Sequence, residues 1–244
     1  MEVRIFAINL DHSADRWSVL SDRAEILGFS LVRVTGVDGA TVAPQSRIDC
    51  DVRAFKRNNG RTILPGEYGC YRSHLRALSV FLETGEPAGV IVEDDIELSS
   101  DLLLRAGLAV EALPEAHAIK LFNHRLVGFK RITTSSFGDE IGRAIHGPQG
   151  SAACYVVTRA GAERLVNRLK IMEYPWDIAL ERGWATSTRI YTTRSDVAVP
   201  ARNSTTIATR AAYKATKFPW WKRLTTYGIR MLEAIRRVAY ARNS

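Results

Sequence analysis

Val3-Arg4-Ile5-Phe6-Ala7-Ile8-Asn9-Leu10 opens the chain as an apolar run with almost no polar alternation, the pattern of a strand buried on both faces. Trp17, Leu20, Ala24 and Leu27 follow at three- and four-residue spacing, which predicts a helix that Gly28 stops. Leu31 to Thr35 reads as the next strand. A strand, a helix and a strand in this order predict an α/β fold with a mostly parallel sheet flanked by helices. Further along, Pro65 and Gly66 open a helix from about Glu67 to Glu83, and Ala88 to Val92 is another buried strand. Ser99 is placed to cap a helix over Leu102 to Leu113. Ile119 to Phe122 and Ala152 to Val157 read as strands, the second followed by a helix capped by Thr158, and Ile190 to Val199 as a weaker one. The polar stretch from Asp38 to Thr62 reads as a long loop.

The bulk composition narrows the function classes. With 46% hydrophobic and 25% charged residues in 244, the chain has the make-up of an ordinary globular protein rather than a disordered one. No apolar stretch approaches the roughly 20 residues of a spanning helix, and the start lacks the pattern of a signal peptide. Cys50, Cys70 and Cys154 are an odd number without CxxC spacing, as expected of reduced thiols in the cytoplasm. The net charge of +8 is concentrated at one end. Residues 201–244 hold ten Lys or Arg against the single acid Glu233, while the first 200 residues carry −1. The expected organisation is a near-neutral domain over residues 1–210 and a basic tail over 211–244, and the tail is what meets a negative partner.

Glu93-Asp94-Asp95 is the sharpest local signal, because three acids directly follow a buried strand. In open α/β sheets the carboxyl ends of strands border the ligand crevice. If the backbone stays extended, Glu93 and Asp95 project to one side, offering hard oxygen ligands to Mg²⁺ or Mn²⁺. A solvated loop leading to a helix cap accounts for the same acids, and pattern alone leaves both readings standing.

Several ordered blocks resemble glycosyltransferase family 25, the bacterial lipooligosaccharide glycosyltransferases and collagen galactosyltransferases. They are Ile8-Asn9-Leu10-Asp11 with Arg16, Gly36-Val37-Asp38-Gly39, Gly66-Glu67-Tyr68-Gly69-Cys70 with Ser73-His74-Leu75, and Val92-Glu93-Asp94-Asp95. Ala153-Cys154-Tyr155-Val156-Val157 with Arg159-Ala160-Gly161-Ala162, and Pro175-Trp176-Asp177, complete the set. The resemblance runs from about residue 3 to residue 207. It implies a GT-A-like Rossmann-type fold, a nucleotide-sugar donor and an inverting, metal-dependent transfer. It also implies that the acidic block is a version of the DxD motif, with Glu93 and Asp95 as metal ligands and Asp94 turned toward ribose or sugar. Asn9, Arg16, Asp38, Ser73 and His74 match donor-site blocks. For His74, contact with phosphate and bracing of the acid loop are both open. Asp177 matches the Pro-x-Asp block and is the candidate base, although an Asp often merely starts a helix. Trp176 stands where the family usually has an aliphatic residue, and its flat face is a candidate platform for an acceptor sugar. Residues 200–204 depart from the family's more typical Gln-containing block.

The tail reads without help from the resemblance. Trp220, Leu224, Tyr227, Met231, Ile235 and Val238 recur at helical spacing among Lys222, Arg223, Arg230, Arg236 and Arg237. Paired tryptophans beside basic residues predict a helix lying in the plane of an anionic membrane surface, against the plainer reading of a helix packed on the domain. Nucleic acid is a poorer partner, since no stacking platform or nucleic-acid motif accompanies the charge. The combined expectation is a peripheral enzyme on the inner face of the cytoplasmic membrane. It moves a hexose, galactose before glucose, from a UDP-sugar to a lipid-linked oligosaccharide. A degenerate membrane-surface scaffold and a transferase for another glycan or protein are the alternatives. A phosphate-loop hydrolase is disfavoured because GxxxxGK[ST] is absent.

Overall fold

The computed structural model describes residues 3–201 and 210–243. In chain order the strands are β1 (Arg4–Asn9), β2 (Leu31–Thr35), β3 (Ala88–Glu93), β4 (Ile96–Glu97), β5 (Ala118–Lys120), β6 (Val127–Thr134), β7 (Glu140–His146), β8 (Cys154–Thr158), β9 (Ile190–Thr193) and β10 (Val199–Pro200). The helices are α1 (Ala14–Ile26), α2 (Val52–Asn59), α3 (Pro65–Glu83), α4 (Leu102–Ala112), α5 (Arg159–Arg168), α6 (Trp176–Glu181), α7 (Gly183–Thr186), α8 (Arg210–Ala215) and α9 (Leu224–Arg242).

Eight strands form one sheet in the order β2-β1-β3-β8-β5-β9-β7-β6, and only β8 and β7 run against the rest. The mostly parallel α/β architecture expected from the opening residues is therefore present. Alternate residues of each central strand feed opposite faces. Ile5, Ala7, Val90, Val92, Cys154 and Val156 pack with α1 and α4, whereas Phe6, Ile8, Ile91, Tyr155 and Val157 pack with α3, α5 and α6. Both faces being covered explains why β1 and β3 show no polar alternation. Cys154 is fully buried in this core, as expected of a packing residue.

Several expectations need correction. The stretch from Asp38 to Thr62 is not all loop. It contains α2, whose first turn is capped by the Asp51 carboxylate accepting from the Ala54 amide at 2.8 Å and whose end is Gly60 at φ +67°. Only Ala54 and Phe55 are buried apolar residues of that helix, so its periodicity is too thin to read. The hairpin of β6 and β7 is a further element not expected from the sequence, because Lys130, Arg131, Thr133 and Thr134 dilute the alternation of β6, the exposed edge strand. Asp101, not Ser99, sits at the start of α4. Ile190 to Val199 is two strands in two sheets, since β10 pairs with β4. Thr158, in contrast, caps α5 as expected, accepting from the Gly161 amide.

Helix α9 packs on the domain through its polar side. Arg237 pairs with Glu181, Glu233 with Arg182, and Thr226 donates to the Arg57 carbonyl. The Tyr240 hydroxyl bonds the backbone of Thr188 and Ile190 in a space that a side chain at Gly183 would fill, its Cβ standing 2.2 Å from the hydroxyl oxygen. The apolar stripe faces away from the protein: Trp220, Leu224, Met231 and Ile235 are each about 60% exposed. Among the described residues no helix is long and apolar enough to cross a membrane.

Candidate active site

The acidic block lies at the carboxyl end of β3, beside the end of β1. The strand stops at Glu93, and Asp94 and Asp95 form a turn, so the extended geometry expected of the three residues does not hold. They nevertheless face one cleft. The Asp95 backbone carbonyl accepts from the Ala201 amide at 2.6 Å, which ties the turn to the strand pair β4–β10.

Each acid has a different environment. Asp94 is held on both oxygens, by the Asn9 side-chain amide at 2.8 Å and by Arg16 at 3.2 Å. Asn9 is itself fixed, since its carbonyl oxygen accepts two bonds from Arg33. Glu93 lies 3.2 Å from Nε2 of His74, whose Nδ1 lies 3.2 Å from the Tyr155 hydroxyl. Both ring nitrogens of this buried histidine are thus engaged, and its geometry is that of a brace for the acid turn. Asp95 stands apart. Its Oδ1 is buried with no hydrogen-bond partner. Burial, then the charges of Glu93 and Asp94, push its carboxyl up to about 6, with Arg16 opposing.

A buried, unpartnered carboxylate oxygen in a crowd of negative charge is what a divalent cation relieves, and hard oxygen donors match Mg²⁺ or Mn²⁺. Cys70, His74 and Glu93 also bring ligand atoms within 4.8 Å of one another. That trio is a poorer cation site. Burial first, then Glu93 and Asp177, push the Cys70 thiol well above its ordinary range, which keeps it neutral, and both His74 nitrogens are committed. The residues present fit a hard cation on Glu93 and Asp95.

The acid turn separates two adjoining cavities that share Cys70, Glu93 and Asp94. One, of about 370 Å³, is bordered by Ile8, Asp38, Gly39, Gly66, Ser73 and His74. Its floor requires close backbone contact: a Cβ on Gly39 would stand 1.8 Å from the Pro65 carbonyl oxygen, and one on Gly69 would stand 2.4 Å from that of Val37. Ser73 pins this contact, donating to the Gly69 carbonyl and accepting from the Val37 amide, both at 2.7 Å. The Asp38 carboxylate accepts from the Ala40 amide and lies 3.7 Å from His12.

The second cavity, of about 390 Å³, holds Arg16, Asp95, His124, Asp177 and Tyr213 around its walls. Asp177 occupies the first turn of α6. Burial and then the charge of Glu181 raise its pKa, while Lys120 lowers it. Trp176 is 1% exposed and lies flat on His74, with ring centroids 5.0 Å apart and planes 7° from parallel. The expectation of an open stacking platform for an acceptor sugar is corrected: this indole locks the brace histidine. Glu181 is equally unsuited to be a second base. It is buried and accepts from Lys120 at 2.8 Å, Arg237 at 2.9 Å and the amides of Gln149 and Gly150.

Sequence reasoning missed one wall of this cavity. Arg61 and Glu67 form a buried two-bond ion pair, with Tyr213 over the guanidinium at 4.7 Å. Glu67 lay inside a quoted block, but Arg61 and Tyr213 carried no signal, because their meeting depends on α8 returning from over a hundred residues away. Arg202, Asn203 and Ser204, in the block that departs from the family's pattern, lie outside the described residues.

The sequence profile of glycosyltransferase family 25 (LPS biosynthesis protein) matches residues 2–180, most of the chain. The chain belongs to that family. It is therefore a glycosyltransferase of a family tied to lipopolysaccharide biosynthesis, and membership implies a sugar donor and an oligosaccharide acceptor. No curated protein matches the chain significantly.

Proposed function

We propose that the enzyme transfers a hexose, galactose first and glucose second, from a UDP-sugar to a hydroxyl of a lipid-linked oligosaccharide, with inversion at the anomeric carbon. The observation that carries this reading is the two-part cavity divided by the acid turn, with the candidate base on the side away from β1. The cavity beside β1 receives the nucleotide, with Asp38 at its rim and Ser73 holding the loop that forms its floor. Asn9, Arg16 and His74 hold Asp94 and Glu93 in position. Glu93 and Asp95 would hold Mn²⁺ or Mg²⁺, which when bound neutralises the charge of the departing diphosphate.

Asp177 takes the proton from the acceptor hydroxyl while that oxygen bonds to the anomeric carbon and the bond to UDP breaks with its electron pair. Its raised pKa suits a base that must accept a proton near neutrality. By analogy with inverting glycoside chemistry, base and leaving group lie on opposite faces of the sugar. The outward apolar stripe of α9, with Lys222 beside its tryptophans, supports docking flat on an anionic membrane face, the inner face of the cytoplasmic membrane. The direct test incubates the protein with UDP-galactose or UDP-glucose, Mn²⁺ and a lipooligosaccharide acceptor, and reads the anomeric configuration of the product by NMR. An inverted product supports the reading; a retained one removes Asp177 from the role of base.

A further inference from the structure

We infer that Tyr213 is the platform on which a sugar ring of the acceptor stacks, in the cleft that also holds Asp177. The inference rests on the proposed reading of that cleft as the acceptor side, and it names the residue that grips the acceptor there.

A pyranose carries hydroxyls around its rim and an apolar C–H face. A flat aromatic ring with accessible area is the surface that takes such a face out of water. Phe122, Trp176 and Tyr213 are the aromatic residues bordering the cleft among the described residues. Phe122 is 6% exposed and Trp176 1%, so the protein already covers both. Tyr213 is 40% exposed.

That exposure is not looseness. The Arg61 guanidinium lies 4.7 Å from the Tyr213 ring centroid, and Arg61 is itself 3% exposed with its fork spent on Glu67. The part of the ring that meets Arg61 is thus turned toward the protein, and its accessible area lies elsewhere. Lys217 Nζ, 5.3 Å from the same centroid, does not border the cleft. Backbone ties hold the chain beside the ring: the Thr62 amide donates to the Thr216 carbonyl at 3.1 Å, and the Phe218 amide to the Gly60 carbonyl at 3.0 Å. A tyrosine fixed in this way loses little freedom when a ligand covers it.

Polar groups for the sugar's hydroxyls border the same cleft. His124 is exposed there, and Ser151 holds a left-handed backbone at φ +58°, which a serine adopts at a cost. The preceding loop holds it so, because the amides of Gln149 and Gly150 both donate to Glu181. The Ser151 hydroxyl accepts from the Ala153 amide at 3.1 Å, which leaves its own proton to donate. An aromatic surface with a few fixed polar groups is the make-up of a site for a small polar ligand.

The test uses the full chain loaded with UDP and Mn²⁺ and needs no turnover. Binding of deacylated lipooligosaccharide is measured by calorimetry, the acyl chains being removed so that α9 contributes nothing. Tyr213→Ala should weaken oligosaccharide binding by about tenfold, the loss expected on truncating an aromatic contact residue. Tyr213→Leu, which keeps apolar bulk but not the flat ring, should weaken it as well, and Tyr213→Phe should bind as wild type does. UDP affinity should be the same in all four proteins. The inference alone is overturned if wild type binds the oligosaccharide and Tyr213→Ala or Tyr213→Leu binds it equally well, or if UDP affinity falls with the ring. Wild type that binds UDP but no oligosaccharide overturns the acceptor reading of the cleft, and the platform with it.

Discussion

The acid turn and the surroundings of Glu181 are built on opposite rules. At the acid turn, Glu93, Asp94 and Asp95 crowd together, Arg16 pairs with Asp94 and His74 stands against Glu93, and an Asp95 oxygen has no partner among the described residues. Around Glu181, a single carboxylate receives Lys120, Arg237 and two backbone amides. A satisfied ion pair in the interior holds elements together, here tying β5, α6, α9 and the loop at Gly150. An unsatisfied acid costs stability and marks a candidate binding site. On the proposed function, the contrast separates acids kept for chemistry from an acid kept for architecture.

Substitutions should divide along the same line. Asp95→Asn should abolish transfer and metal-dependent donor binding, yet leave the metal-free protein at least as resistant to urea, because it removes a repelled charge. Marked loss of stability in that variant would show that Asp95 is a structural group. Asp177→Asn should retain affinity for the UDP-sugar and lose turnover by about 10²–10⁴-fold, the usual worth of a positioned base. A rise in donor KM with kcat preserved would move Asp177 into the donor site.

Glu181→Ala inverts the pattern. It strands Lys120 and Arg237 without their acceptor and should cost about 3–5 kcal/mol of folding stability, measured by urea denaturation. Stability within error of wild type would mean that the cluster is decorative. The pH dependence of turnover follows from Asp177. As the proposed base it must be ionised, and burial raises its folded pKa, so activity should fall as pH drops through a value above that of a free aspartate. An acid limb at or below about 3.9, the value of a free aspartate, contradicts that role. The smallest effect on folding belongs to Met231→Ser and Ile235→Ser on the exposed stripe. Each should change stability by about 0.5 kcal/mol or less while reducing vesicle binding. Equal binding by wild type and both variants would remove the membrane role of α9.

The same contrast explains what the sequence made legible. β1, α1, β2, α3 and β3 are strongly periodic or fully apolar, because each is buried by neighbours on fixed faces, and their reading was sound. The acid turn announced itself because charge at a buried strand end is costly wherever it occurs. The Glu181 cluster did not. Lys120, Glu181 and Arg237 come from three distant segments, and each alone resembles an ordinary surface residue. α2 escaped because Asn58 and Asn59 occupy its buried side. Trp176 invited a ligand role, but an aromatic beside a candidate base is as readily explained by packing, and its stacking on His74 is the packing answer. The stripe of α9 was read correctly as helical. What the sequence left undetermined was its direction, since the domain takes the polar side through Arg182, Glu181 and the Tyr240 hydroxyl.

The central claim is that an Asp95 oxygen lacks a protein partner because it binds a cation with the donor diphosphate. Thermal unfolding with UDP-galactose, with and without Mn²⁺, tests it most directly. A ligand bound only by the folded state at 100 times its Kd adds about 2.7 kcal/mol of stability. Wild type should therefore melt higher only when nucleotide sugar and Mn²⁺ are both present, and Asp95→Asn should show no such rise. An equal rise with UDP-galactose in excess chelator, or an undiminished Mn²⁺-dependent rise in Asp95→Asn, would contradict the account.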